Sequence, residues 1–161
     1  MAVEAADGVA ADGVAAADGA AVAWEAHADP HAGGTGMKLE KVMLVDDDAD
    51  IRTIGEISLS KVGGWLVVLA DSGTDALAKV SRERPDAILL DVMMPGMDGP
   101  TTFERLRDLP ATRTTPIIFM TAKVQKLEVE RYLALGAAGV ISKPFDPMTL
   151  HKEVRRLLGA A

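Results

Sequence analysis

Five polar residues follow short apolar runs: Asp46 and Asp47 after 41–45, Asp91 after 87–90, Thr121 after 117–120, and Lys143 after 139–142. Apolar runs of about four to eight residues bounded by turn signals suit buried parallel strands. In open parallel sheets, ligands sit beyond the carboxyl ends of the strands. The five residues therefore converge on one sheet edge. Three carboxylates brought together repel one another and raise their own pKa values. They need counter-charge, which Lys143 supplies in part and a divalent cation completes. Hard oxygen ligands with open positions favour Mg2+, which keeps several waters and accepts substrate phosphate. The chemistry this set suits is phosphoryl transfer, where neutralising charge on the phosphoryl oxygens is the main task. Asp91 is then the in-line nucleophile. Asp47 and Asp91 hold the metal directly, Asp46 holds it through water, and a backbone carbonyl at Met93 completes the set. The Thr121 hydroxyl hydrogen-bonds a phosphoryl oxygen. Taken singly, Asp91 reads equally as a turn or helix-cap aspartate, Thr121 as a strand-end threonine and Lys143 as a surface lysine. Their joint placement carries the reading.

The elements that must position them follow from periodicity and punctuation. The strand at 41–45 leads into a helix over about 49–62, with Ile51, Ile54, Ile57 and also Leu59 near helical spacing and Gly63-Gly64 as its stop. A second strand, 65–70, ends at Ala70-Asp71 and contributes nothing to the set. Ser72 with Asp75 resembles a capping box for a helix to about Arg84, closed by Pro85. The third strand ends at Asp91. Gly99-Pro100 opens a third helix with Phe103 and Leu106 toward the sheet. The fourth strand ends at Thr121. A helix over 125–135 follows, with Val129, Tyr132 and Leu133 on one face and Gly136 as its stop. The fifth strand, 139–142, precedes Lys143-Pro144. Asp146-Pro147 then starts a last helix through Leu158, with Leu150, Val154, Leu157 and Leu158 inward. Strand and helix alternate five times. That predicts an α/β fold: a flavodoxin-like, doubly wound, five-stranded parallel sheet of order 2-1-3-4-5 with five helices.

Composition bounds the alternatives. The chain has 161 residues, 48% hydrophobic and 25% charged, with no cysteine. Disulfides, thiol catalysis and cysteine-based zinc sites are excluded. Residues 1–36 hold six acidic and no basic side chains, so the remainder carries 17 basic and 18 acidic ones. Neither part offers a basic footprint for nucleic acid. No apolar run approaches the ~18 residues of a membrane span, and no signal peptide opens the chain. A cytoplasmic protein is expected. Segment 1–36 is low-complexity Ala, Gly and Asp and is expected to be a disordered acidic tail. Within it Trp24 is the one large apolar docking residue, and His27 and His31 read as solvated rather than metal-binding. Residues 37–161 form the single folded domain.

The segment from about Met37 to Leu158 resembles a receiver domain of the two-component response-regulator family. The matching motifs are Asp46-Asp47, the stretch Leu90-Asp91-Val92-Met93-Met94-Pro95-Gly96-Met97-Asp98-Gly99, Thr121-Ala122 and Lys143-Pro144-Phe145. The separations from Asp47 to Asp91, Asp91 to Thr121 and Thr121 to Lys143 are 44, 30 and 22 residues, all typical of that family. The resemblance implies a phosphoprotein of a phosphorelay, not a turnover enzyme. Asp91 would receive a phosphoryl group from a histidine kinase or a histidine phosphotransfer protein. It also implies a cis peptide at Lys143-Pro144. Output would be a protein contact on the face of the fourth helix, fifth strand and fifth helix, where Lys126, Arg131 and Tyr132 are expected, with a phosphorylation-dependent dimer left open. No output domain follows the last helix, so a stand-alone, chemotaxis-like regulator is expected. Two departures stand out. Val140 occupies a position, three before the lysine, that is often aromatic in the family and serves as its switch. Met93 and Lys123 occupy the positions that tune phosphoryl loss, and neither is a carboxamide or an acid, so slow self-dephosphorylation is expected.

Two rival readings remain. A haloacid-dehalogenase-type phosphatase uses the same kit, and Asp46-Asp47-Asp48 contains an Asp-x-Asp. That family needs Thr or Val where Asp50 stands, and a cap for which the length leaves little room. A phosphorylation-independent docking or dimerisation module is the other; such modules usually lose an acidic residue, the threonine or the lysine, and this chain keeps them all.

Overall fold

The computed structural model describes residues 37–160. The expectations for 1–36, including Trp24, His27 and His31, lie outside the described residues. Five parallel strands, β1 (Lys41–Val45), β2 (Leu66–Ala70), β3 (Ala87–Asp91), β4 (Ile117–Thr121) and β5 (Gly139–Ser142), form one sheet of order β2-β1-β3-β4-β5. Five α-helices connect and close them: α1 (Ala49–Ile57), α2 (Gly73–Glu83), α3 (Gly99–Asp108), α4 (Lys126–Leu135) and α5 (Leu150–Leu158). The predicted architecture and strand order are both present.

Side chains alternate across the sheet as period two requires. Met43, Val45, Ile88, Leu90, Ile117, Phe119 and Val140 face the side covered by α2, α3 and α4. Val42, Leu44, Leu89, Ile118, Met120 and Ile141 face the side covered by α5 and the end of the first helix. β1, β3 and β4 lie in the sheet interior and are buried almost throughout. This is why they read as unbroken apolar runs rather than alternating ones. β2 lies at an edge, and Leu66 is 66% exposed.

The caps match the punctuation. The Ser72 hydroxyl accepts from the Asp75 N–H, Asp98 accepts from the Thr101 N–H, and Gly136 ends α4 at φ 111°. The Lys143–Pro144 peptide is cis, as the resemblance implied.

Three local expectations fail. Ile54 and Ile57 do not face the core; they are 42% and 53% exposed, while Gly55, Ser58 and Leu59 are buried. Gly55 lies over Leu44, and a Cβ there would meet a terminal methyl of Leu44. Its last turn, Ser58–Val62, is π-helical. The last helix begins at Leu150 rather than Asp146. The Asp146 carbonyl accepts from the N–H groups of Thr149 and Leu150, so Asp146 opens a turn that precedes the helix. Tyr132 is buried at 8% exposure, its ring 4.8 Å from that of Phe119, and does not belong to an outer face. Lys126 and Arg131 are exposed.

Candidate functional site

The strand register assembles the site. Val45 pairs with Leu90, so Asp46 stands beside Asp91 at the carboxyl edge. Asp91 pairs with Met120, and Thr121 with Ser142, so Thr121 and Lys143 complete the same edge. All five sequence-selected side chains thus share it. β2 ends at the same edge in Ala70, whose carbonyl accepts from the Asp46 N–H at 3.1 Å. Its part is to hold Asp46.

Lys143 is the hub. Its Nζ donates to Asp46 Oδ2 at 2.9 Å and to Asp91 Oδ1 at 3.1 Å. Asp46 is fully buried and Asp91 nearly so, while Asp47 is exposed. Burial first, and the Asp46 charge second, push the Asp91 carboxyl up to about 6 against the opposing pull of Lys143 and the Met93 N–H. The repulsion expected between the carboxylates is visible at Asp91, where the Asp46 charge adds to burial. Burial pulls the Lys143 ammonium down, but the Asp46 hydrogen bond and the charges of Asp46 and Asp91 outweigh it and hold its pKa above the ordinary lysine value.

Carboxylate oxygens of Asp46, Asp47 and Asp91 lie within 4.8 Å of one another. The donor set is all oxygen, and Asp47 leaves one side open to solvent. These residues fit a hard divalent cation that keeps part of its water shell.

The loops above the edge are tightly built. The Gly99 N–H donates to the Val92 carbonyl at 2.9 Å, folding the segment after Asp91 back on itself. A side chain at Gly99 would meet the Asp91 carbonyl oxygen and Val92 Cα. Met93 is 76% exposed, two residues after Asp91. The Thr121 hydroxyl accepts from the Lys123 N–H at 3.0 Å. Its own proton remains available to an incoming oxygen. The Ser58 hydroxyl donates to the Pro147 carbonyl and ties the first helix to the loop that follows Lys143.

Sequence reasoning missed Arg52, whose Nη1 donates to the Asp46 carbonyl at 2.8 Å. It also missed Gly99 as a packing requirement, although the glycine stands in the quoted motif. Val140 is fully buried in one cluster with Phe119 and Tyr132. Phe119 of β4 is the cross-strand partner of Val140, and the Tyr132 ring of α4 packs 4.8 Å from that of Phe119.

Comparison with known proteins agrees with the geometry. The family model of the response regulator receiver domain matches residues 42–155. The chain is 35% identical over 119 residues to the alkaline phosphatase synthesis transcriptional regulatory protein PhoP of Bacillus subtilis, covering 74% of this chain and 48% of that one. It is 40% identical over 119 residues to the DNA-binding response regulator MtrA of Mycobacterium leprae, covering 74% and 51%. It thus spans about half the length of these curated relatives. The chemotaxis protein CheY4 of Vibrio cholerae superposes with a TM-score of 0.70 at 36% identity, covering 75% of this chain and 100% of that one.

Proposed function

The chain belongs to the response-regulator receiver family, and from that premise we propose that it is a magnesium-dependent phosphoryl acceptor that switches a protein-binding face in the cytoplasm. Receiver domains are signalling modules of two-component systems. The observation that carries the reading is the Lys143 ammonium bridging Asp46 and Asp91, with Asp47 beside them.

The donor is a phosphohistidine on a histidine kinase or phosphotransfer protein. An ionised Asp91 oxygen attacks phosphorus in line, the bond from phosphorus to the imidazole nitrogen breaks, and that nitrogen keeps the electron pair. Lys143 is already in reach of Asp91 and neutralises charge that develops on the phosphoryl oxygens. The Thr121 hydroxyl turns its proton to one of those oxygens. Asp46, Asp47, Asp91 and the Met93 carbonyl are the groups that would hold Mg2+, which would supply charge neutralisation at the phosphoryl group and favour ionised Asp91 against its burial.

Exposed apolar side chains support the two partner faces. α4 exposes Leu127, Leu135 and, just before it, Val124, with Leu127 at 77%. Leu127 and Arg131, one turn apart, lie on the side of α4 away from Val129 and Tyr132, and we assign the output contact there. α1 exposes Ile54 and Ile57, and the loop that Ser58 holds exposes Met148. We assign the donor contact to that flank.

The test is incubation with acetyl phosphate and MgCl2, read by intact mass. One adduct of roughly 80 Da is expected, absent without Mg2+ and absent in Asp91→Asn. The adduct is expected to decay slowly, because Met93 and Lys123 offer no acceptor to orient an attacking water. Failure with both acetyl phosphate and cognate phosphohistidine donors would leave the phosphorylation-independent docking module in its place.

A further inference from the structure

Asp46 is held from four directions. Its N–H donates to Ala70 on β2, its Oδ1 accepts from the Asp48 N–H and its Oδ2 from Lys143. Its carbonyl accepts from Arg52, six residues on, in the first turns of α1. Asp47 is the opposite case. It is exposed, and among the described residues nothing hydrogen-bonds its carboxylate. Only the backbone fixes where that carboxylate points. The Asp46 carbonyl belongs to the peptide plane that joins Asp46 to Asp47. The Asp47 Cα lies in that same plane, so a guanidinium clamped on the oxygen fixes where the Asp47 Cα sits.

We propose that Arg52 is a positioning residue for Asp47: by locking the Asp46–Asp47 peptide plane it presents the Asp47 carboxylate to the metal at the phosphorylation site. The proposal rests on the reading of Asp46, Asp47 and Asp91 as the metal ligands. Arg52 touches neither the metal nor the phosphoryl group.

Charge and geometry predict opposite signs here. Arg52 carries a positive charge close to a cation site, so removing it through charge alone tightens Mg2+ binding. Removing it through loss of positioning weakens binding.

The experiment is calorimetric titration of the full chain with MgCl2, beside thermal melts without metal. Asp47→Asn is expected to weaken Mg2+ strongly; if it does not, the metal reading itself fails. Given that effect, Arg52→Met is expected to weaken Mg2+ about tenfold, and to add little in the Asp47→Asn background, because the carboxylate it aims is gone. Arg52→Lys keeps the charge and one donor, folds with the clamp in place, and is expected to recover most of the affinity. Unchanged or tighter binding in Arg52→Met would overturn the proposal. So would an equal loss with and without the Asp47 carboxylate, and if Arg52→Met does not fold, so would an Arg52→Lys that binds no better than Asp47→Asn.

Discussion

Asp91 carries two demands that conflict. The proposed reaction needs a carboxylate, and burial beside Asp46 favours the acid, with a pKa of about 6 against an ordinary 3.8. The folded state therefore binds this proton more tightly than the unfolded chain does. Its contribution to stability is full below about pH 4 and is lost as the pH rises through about 6. Metal-free Asp91→Asn is expected to melt above the wild type at pH 7.5, by roughly 5 °C, with the gap closing near pH 4. Melts across that range check it, and a gap independent of pH would remove Asp91 as its source. The five site residues were legible because each ends an apolar run, and a parallel sheet aligns such ends. Arg52 was not legible. Its partner is a backbone carbonyl, and no residue type in the sequence marks that oxygen as needing a donor.

Among the elements, the segment from β3 into α3 is closely constrained at Gly99. The turn closes on itself through the Gly99 N–H, and the helix then starts directly against the backbone of Asp91 and Val92. Gly99→Ala places a methyl group against rigid backbone, so the strand end or the helix must move. A loss of about 2 kcal/mol is expected, together with phosphorylation slowed at least tenfold in the acetyl phosphate assay, since the shift falls under the acceptor. Stability lost with the rate intact would separate this glycine from the site. α1 shows where periodicity misleads. Ile51, Ile54, Ile57 and Leu59 suggested an inward stripe; Leu59 does face in, with Gly55 and Ser58, while Ile54 and Ile57 are exposed. Apolar spacing assumes that large side chains fill the gap between layers. Here Gly55, not a large side chain, lies over Leu44, and Ile54 and Ile57 remain outside. The start of α5 slipped for a smaller reason: Asp146 and Pro147 are good first-turn residues for a helix and equally good for the separate turn they form.

For the whole molecule, the parallel sheet leaves β2 with an unpaired edge. Leu66 donates to Glu40 and Ala70 accepts from Asp46, so even-numbered residues bond β1 and the peptide groups of Val67 and Leu69 face outward. The Leu69 carbonyl is taken by the Lys79 ammonium at 2.7 Å, and Asp75 pairs with the same lysine at 3.0 Å. A lysine on an exposed apolar edge blunts pairing with another chain. Lys79→Met is expected to leave the fold intact and to give concentration-dependent association, measured by light scattering on a sizing column. A variant that stays as wild type over a hundredfold range in concentration would show that β2 needs no guard. By itself the sequence determined the alternation of strand and helix, the sheet order that right-handed crossovers then require, and the identity of the residues at its carboxyl edge. These are local patterns, and one chain rule converts them into a topology. Only the tertiary structure decided the depth at which α1 packs, the inward turn of Tyr132 onto Phe119, the bridging of Asp46 and Asp91 by one lysine, and the clamp from Arg52. Each of these depends on distances between elements far apart in the chain, where close packing selects among side-chain arrangements that the pattern leaves equivalent.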